Sequence, residues 1–457
     1  MKPIDWRRSE QRITAVVIGA GQAGLATSYE LGLRGIEHVV LERGEVANSW
    51  REERWDSMRL LTPNWQTQLP GLAYTGEEPN GYMSAGEVAD FIGAYARFCD
   101  APVQVNTRVT SVAAVENDFR VTTNRGTWRC CAVVLASGPY NSPLVPAISG
   151  TLPKRIEQLT PHQYRHPGQL SAGGVLVVGA SATGVQLARE IQDSGHQVTL
   201  AVGEHVRLPR CYRGKDIQYW MHATGLLDQG YADVDDIQRV SSLPSPQLIG
   251  HPDRVDLDLN TLADQGVTFV GRLVGMQGRI AQFSGSLPNL VRMADLKQQR
   301  LLRSIDTWID KWGAHHQLEP ALVPAPTRLK SPPRLTLDLG GREIDTVIWA
   351  TGFQPDYSWL KVPVLNGKGK LLHNGGITPA AGLYAMGLPF MRKRKSAFIF
   401  GAGEDAREIG SHLAAHVRAR FRRTKLNPKR AHGDTCGAAD INLHSTDASK
   451  TLHQHTY

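Results

Sequence analysis

Six residues near the start of the chain, Gly19-Ala20-Gly21-Gln22-Ala23-Gly24, have the types and spacing to hold a pyrophosphate. Gly19 permits a tight turn, Gly21 lets the backbone approach phosphate oxygens, and Gly24 lets a following helix pack close to a sheet. The free amides at the start of that helix, from Gln22 onward, face negative charge. Eighteen residues beyond Gly24, at the end of an apolar run, stands Glu42, a carboxylate placed to accept both hydroxyls of a ribose. The pattern recurs 160 residues later as Gly179-Ala180-Ser181-Ala182-Thr183-Gly184. Ser181 replaces the middle glycine, adding bulk where backbone and pyrophosphate meet, and also a hydroxyl that bonds phosphate. The position equivalent to Glu42 is Val202, so the second site lacks the ribose carboxylate. Without that anion a 2′-phosphate is no longer repelled, and Arg207, Arg210 and Arg213 follow with guanidinium forks suited to it. This favours NADPH over NADH, with Glu204 as the residue that argues the other way.

These groups need elements to position them. Residues 13–18 form an apolar run, residues 25–35 have helical spacing ending at Gly35, and residues 38–41 form a second run. That is strand, glycine turn, helix, strand, acid, the half-unit that binds a dinucleotide. Residues 175–178, 185–196 and 198–202 repeat it. Two such units imply two nucleotides, or a duplication in which one site has lapsed. Residues 119–123 and 128–135 read as small sheet strands, and the prolines that follow mark a boundary near 140–160. A periodic stretch over 285–315 reads as helix in the second domain, and the proline-rich residues 319–333 read as a linker back to the first. Residues 346–350 form an apolar strand, and 396–417 a strand, turn and helix.

The expected class is α/β, with two dinucleotide-binding, Rossmann-like domains, the NADP domain inserted into the FAD domain. The boundaries read as 1–155 and 326–424 for the two parts of the FAD domain, 156–325 for the NADP domain and 425–457 for a loose basic tail. An amino-terminal fingerprint followed by a later one is the arrangement in which FAD is held permanently and a nicotinamide visits. After Glu42 come Arg43, Trp50 and Arg51, aromatic and cationic groups suited to walling in adenosine and flavin edges.

At 457 residues, with 41% apolar and 21% charged residues, the chain suits two or three globular domains and excludes a disordered or coiled-coil protein. Its net charge of +8 comes largely from seven cations between Arg418 and Arg430, leaving +1 for the rest, which argues against nucleic acid as a partner. The five cysteines form neither a CxxC pair nor a disulfide ladder, pointing to a reducing compartment without a thiol relay. No apolar stretch reaches membrane-spanning length and the amino terminus has no signal-peptide character, so a cytoplasmic protein is expected. Histidines 251, 315, 316, 373, 412 and 416 show no metal-ligand spacing, and no metal is expected.

The residues resemble the class B, two-dinucleotide flavoprotein monooxygenases: flavin-containing monooxygenases, their plant auxin-forming relatives, and bacterial flavoproteins labelled as metal-ion transport proteins. The resemblance spans about residues 10–420. It rests on GAGQAG with Glu42, WDSMRLLTPNWQTQLPG, VLASG ending at Gly138, GASATG, LPRCYRG, WATGFQPD with Ala350, Thr351 and Gly352, and SAFIFGAGEDA with Asp405. It implies FAD and NADPH as cofactors and oxygenation of nitrogen, sulfur or an activated carbonyl of a small organic molecule through a flavin C4a-hydroperoxide. Asn64, in a segment that relatives place near the flavin, is implied to bond cofactor or peroxide, with Trp65 covering a ring and Gln66 or Gln68 orienting nicotinamide. Thr351 and Gly352 are implied at a crossover between domains, and Asp405 against the ribityl chain. The family's HSxxYR carries a histidine where this chain has Thr160, and His162 lies two residues late, on the opposite side if the segment is extended. That departure keeps open an NAD(P)H:acceptor reductase acting on a quinone or carrier. A homodimer is expected by analogy.

Overall fold

The computed structural model describes residues 10–312, 318–329 and 333–426. Strand Glu10–Ile18 is buried from Ile13 onward, as a strand covered on both faces must be. It pairs in parallel with His38–Leu41 on one side and with Gly126–Leu135 on the other, Ile18 standing level with Leu41 and Leu135. Val103–Gln104 extends this sheet beyond His38–Leu41. The long strand Gly126–Leu135 serves two partners: its first half pairs antiparallel with Asp118–Thr123, its end in parallel with Leu383–Ala385. Helix Gln22–Leu33 packs on helix Ala402–Leu426, where the Glu30 side chain approaches the backbone at Gly410. The core here includes Leu25, Val40, Ile92, Tyr384 and Ala406.

The second unit repeats the plan with five parallel strands in the order Glu157–Leu159, Thr346–Trp349, Val175–Val178, Val198–Ala201, Thr268–Val270. A three-stranded antiparallel sheet, Leu273–Gln277, Ile280–Phe283 and Thr336–Asp338, and the helix Leu287–Trp312 complete it. The second unit is thus inserted in the first, as the sequence implied. The return point differs from the expected residue 326. Thr336–Asp338 and Thr346–Trp349 belong to the second unit's sheets, so the chain crosses back only after Ala350. The described part of the proline-rich stretch, residues 319–329, packs against the second unit: Ala325 O accepts from Arg207 and Thr327 N donates to Asp295. Thr346–Trp349 is fully buried and fills the parallel slot beside the second glycine strand.

The tail from residue 427 onward, with Lys429 and Arg430, lies outside the described residues, as do His315 and His316. Among the described residues no helix is long and apolar enough to cross a membrane, and no group of histidine, cysteine or carboxylate side chains has metal-site geometry.

Candidate dinucleotide and flavin sites

Both glycine turns are built the same way. Gly19 has a φ of +109°, and a Cβ there would meet Ala136 O at 2.4 Å; Gly179 has +112° and would meet Ala350 O at 2.3 Å. Only glycine fits such a backbone. A Cβ on Gly24 would strike Gly19 O at 1.9 Å, and one on Gly184 would strike Gly179 O at the same distance, so each third glycine seats its helix on the turn. Gly21 differs: nothing lies within 4 Å of a Cβ there. It leaves a cradle at the start of helix Gln22–Leu33, with the half-exposed Gln22 at its rim, which suits a pyrophosphate.

The turns extend to the neighbouring strand ends. Ala136, Ser137 and Gly138 follow Gly126–Leu135 just as Ala350, Thr351 and Gly352 follow Thr346–Trp349, with positive φ at both Gly138 and Gly352. The Thr351 hydroxyl donates to Leu144 O, and Leu144 N donates to Gly352 O, tying the two crossover segments together beside the antiparallel pair Ser142–Pro143 and Phe353–Gln354.

Glu42 is 7% exposed, its carboxylate accepting from Ala20 N at 2.8 Å and Gly44 N at 3.1 Å. It faces a cavity also lined by Gly19, Arg43, Thr107, Asn141 and Trp359. Arg43 pairs with Glu53 there. Trp50 is half-buried against the first core with the Arg54 guanidinium 5.2 Å above it. Arg51 is exposed and bonds Asp90 at 3.1 Å and Val46 O.

A second polar locus lies where residues 62–70 meet the start of helix Ala402–Leu426, Pro70 packing 3.0 Å from a Cβ placed on Gly403. Asn64 and Gln66 lie in a short helical turn, and both are buried. Asn64 donates to Glu78 O at 2.9 Å, which aims its own carbonyl oxygen elsewhere. That oxygen, both polar atoms of the Gln66 amide, Thr67 Oγ1 and Asp405 Oδ2 are buried with no partner in the protein. Buried polar atoms are normally satisfied. Five orphans on two touching segments therefore fit a polar ligand such as a flavin and its ribityl chain. Trp65 stands edge-on to His222 of the second unit, 5.7 Å between rings.

Asp405 is 3% exposed, and burial pushes its carboxyl up to about 6 despite a hydrogen bond from Ser396 and Arg392 Nε at 3.9 Å. The sequence singled out Asp405 but not Ser396, whose Oγ also accepts from Arg392 N and Lys393 N. The cations Lys393 and Lys395 are engaged beside the site. Both bond Glu404 and pair with Asp228 of the second unit, locking the units together beside the site.

The Thr160 segment is a turn rather than extended, Tyr164 N donating to Thr160 O. Alternation of faces therefore does not apply. His162 lies 5.0 Å from the Phe353 ring at the crossover, held neutral by burial and by Arg54, Arg43 and Arg165, which lower it to about 4.

The second turn departs most from expectation. Ser181 caps helix Ala182–Asp193 with backbone angles matching Gly21, and its side chain makes no capping bond. Ala182 N donates to Ser245 O at 3.3 Å, while the half-buried Thr183 remains on the open side of the helix start. Arg207 and Arg210 are not free to receive a 2′-phosphate. Arg207 is 5% exposed and bonds Asp258, Asp295 and Ala325 O. Arg210 is fully buried, bonding Asp216 at 2.5 Å and Leu61 O, and stacking on Tyr82. Spacing from a strand end showed cations; it did not show the carboxylates of residues 216, 258 and 295 that fold against them. The Tyr82–Asp216 bond across the units, at 2.5 Å, likewise had no local signal.

Comparison with known proteins agrees with this architecture. The family model for pyridine nucleotide-disulphide oxidoreductases matches residues 16–224. A CzcO-like uncharacterised oxidoreductase of Geobacillus kaustophilus is 31% identical over 407 residues, 88% of this chain and 99% of that one. The indole-3-pyruvate monooxygenase YUCCA6 of Arabidopsis thaliana is 32% identical over 43% of this chain and 49% of its own. In fold, the flavin-containing monooxygenase from Stenotrophomonas maltophilia superposes with a TM-score of 0.62 at 19% identity, covering 89% of this chain and 99% of that one. The chain is an oxidoreductase built on two dinucleotide-binding units. Within that class it belongs to the family of the CzcO-like oxidoreductases.

Proposed function

We propose that this enzyme oxygenates a nitrogen, a sulfur or an activated carbonyl of a small organic molecule, consuming NADPH and dioxygen. The observation that carries this reading is the set of unpartnered buried atoms at Asn64, Gln66, Thr67 and Asp405. When bound there, FAD supplies the hydride acceptor and the site of oxygen activation. The protein's own residues bind, orient and exclude water. Glu42 holds the ribose, the Gly21 cradle takes the pyrophosphate, and Asp405 accepts from a ribityl hydroxyl. The amides at the start of helix Ala402–Leu426 would favour negative charge on a flavin held there. Asn64 and Gln66 would offer their unpartnered amide atoms to the bound flavin, and Trp65, against His222 of the second unit, would help exclude water.

A disulfide-reducing role, named in the matched family model, has little support in the thiols. Among the described residues, Cys130 and Cys131 are buried in the core strand, and Cys99 and Cys211 lie on separate units. A reductase of a quinone or carrier is the second reading, favoured by Ser181 and by the engaged Ala182 amide, which weaken the hold on nicotinamide after hydride transfer. On the first reading the enzyme works in the cytoplasm as a homodimer, without nucleic acid. The deciding experiment supplies purified yellow holoprotein with NADPH and isotopically labelled dioxygen across a panel of amines, sulfides and ketones. Label in product supports the monooxygenase; NADPH consumed with stoichiometric peroxide and no labelled product refutes it.

A further inference from the structure

The two units are superposable in their hydrogen bonding at the ribose position. Gly19 N bonds Leu41 O at 2.8 Å and Gly179 N bonds Ala201 O at 2.9 Å; the next residues, Glu42 and Val202, both donate to the adjacent strand, at Gln104 O and Val270 O. Val202 is fully buried and apolar, so it offers nothing to a ribose. All three arginines downstream are engaged: Arg207 and Arg210 as described, and Arg213 with Asp306 at 3.0 Å. The first polar side chain past Val202 that reaches solvent is Glu204, whose carboxylate is 61% exposed and pairs at 3.0 Å with Lys297 of helix Leu287–Trp312.

We infer that the Glu204–Lys297 pair reads the 2′ substituent of the nicotinamide coenzyme. This rests on the reading that the coenzyme occupies the second glycine turn. A 2′-phosphate takes the Lys297 ammonium in exchange for Glu204; a 2′-hydroxyl instead donates to Glu204, which stays paired. Exposed ion pairs are weakly held, so the exchange costs little. An ammonium is a point charge without the bidentate geometry of a guanidinium, so the preference for phosphate is modest and NADH is also bound.

The test measures equilibrium binding of NADP+ and NAD+ to oxidised holoprotein by calorimetry. Lys297→Met is expected to weaken NADP+ about tenfold and flatten its salt dependence while leaving NAD+ unchanged. Glu204→Gln is expected to tighten NADP+ and weaken NAD+. Arg272, exposed at the end of the next strand, is the competing cation. If Arg272→Gln carries the NADP+ loss, or if both pair variants leave the affinity ratio within about twofold, the proposal is overturned while the function stands. Wild-type holoprotein that binds neither nucleotide overturns the reading of the second turn as well.

Discussion

Replacing Asp405 with asparagine separates what this carboxylate costs the fold from what it does for FAD. Its carboxyl moves from 3.8 in water to about 6 in the folded protein, because burial outweighs Ser396 and Arg392. Two pH units at about 1.4 kcal/mol each make ionisation cost the apoprotein about 3 kcal/mol. The sign follows from a raised carboxyl: the folded state holds the proton longer, so stability is full below pH 3.8 and is lost as pH rises through about 6. Asparagine cannot ionise. Urea unfolding of flavin-stripped protein should therefore show Asp405→Asn gaining up to about 3 kcal/mol over wild type on moving from about pH 4 to about pH 8. FAD should remove much of this difference in wild type, since a ribityl hydroxyl bonding Oδ2 favours the ionised form. FAD affinity should fall in the variant by about tenfold to a hundredfold. A stability difference between the two proteins that does not change with pH would refute the reasoning.

Gly21→Ala should leave apoprotein stability within about 0.5 kcal/mol, since no protein atom lies within 4 Å of the added methyl, yet purify with little flavin. Gly24→Ala, whose methyl meets Gly19 O at 1.9 Å, should destabilise the apoprotein by about 3 kcal/mol; equal unfolding midpoints for the two variants would contradict this division. Gln66→Leu breaks no bond within the protein, so the apoprotein should hold its unfolding midpoint while peroxide released per NADPH rises, read by peroxide assay. Arg210→Met strands Asp216 in a buried site and should cost about 3–5 kcal/mol in urea unfolding; a loss under about 1 kcal/mol would mean that the cluster is not needed.

The two glycine turns were legible because their requirements are local. A positive φ at Gly19 and Gly179, and the close approach of Gly24 and Gly184 to the turn, are conditions on single residues at fixed spacing. The same holds for Glu42, one residue past a strand whose end is set by the apolar run before it. Asn64, Gln66 and Asp405 came instead from resemblance. No pattern within residues 62–70 or 402–405 says that these segments touch, and their unpaired atoms are visible only once they do. The prolines at 320–333 look like a linker, whereas strand pairing decides which sheet Thr346–Trp349 joins and so where the chain returns.

By itself the sequence determined two parallel units and the backbone cradle for a pyrophosphate, since these follow from short-range sterics and burial. Tertiary structure alone decided which charges are available. Arg207 and Arg210 read as free guanidinium groups until Asp258, Asp295 and Asp216, 51, 88 and 6 residues away, fold onto them. An ion's partner is set by distance through space, and chain spacing does not encode it.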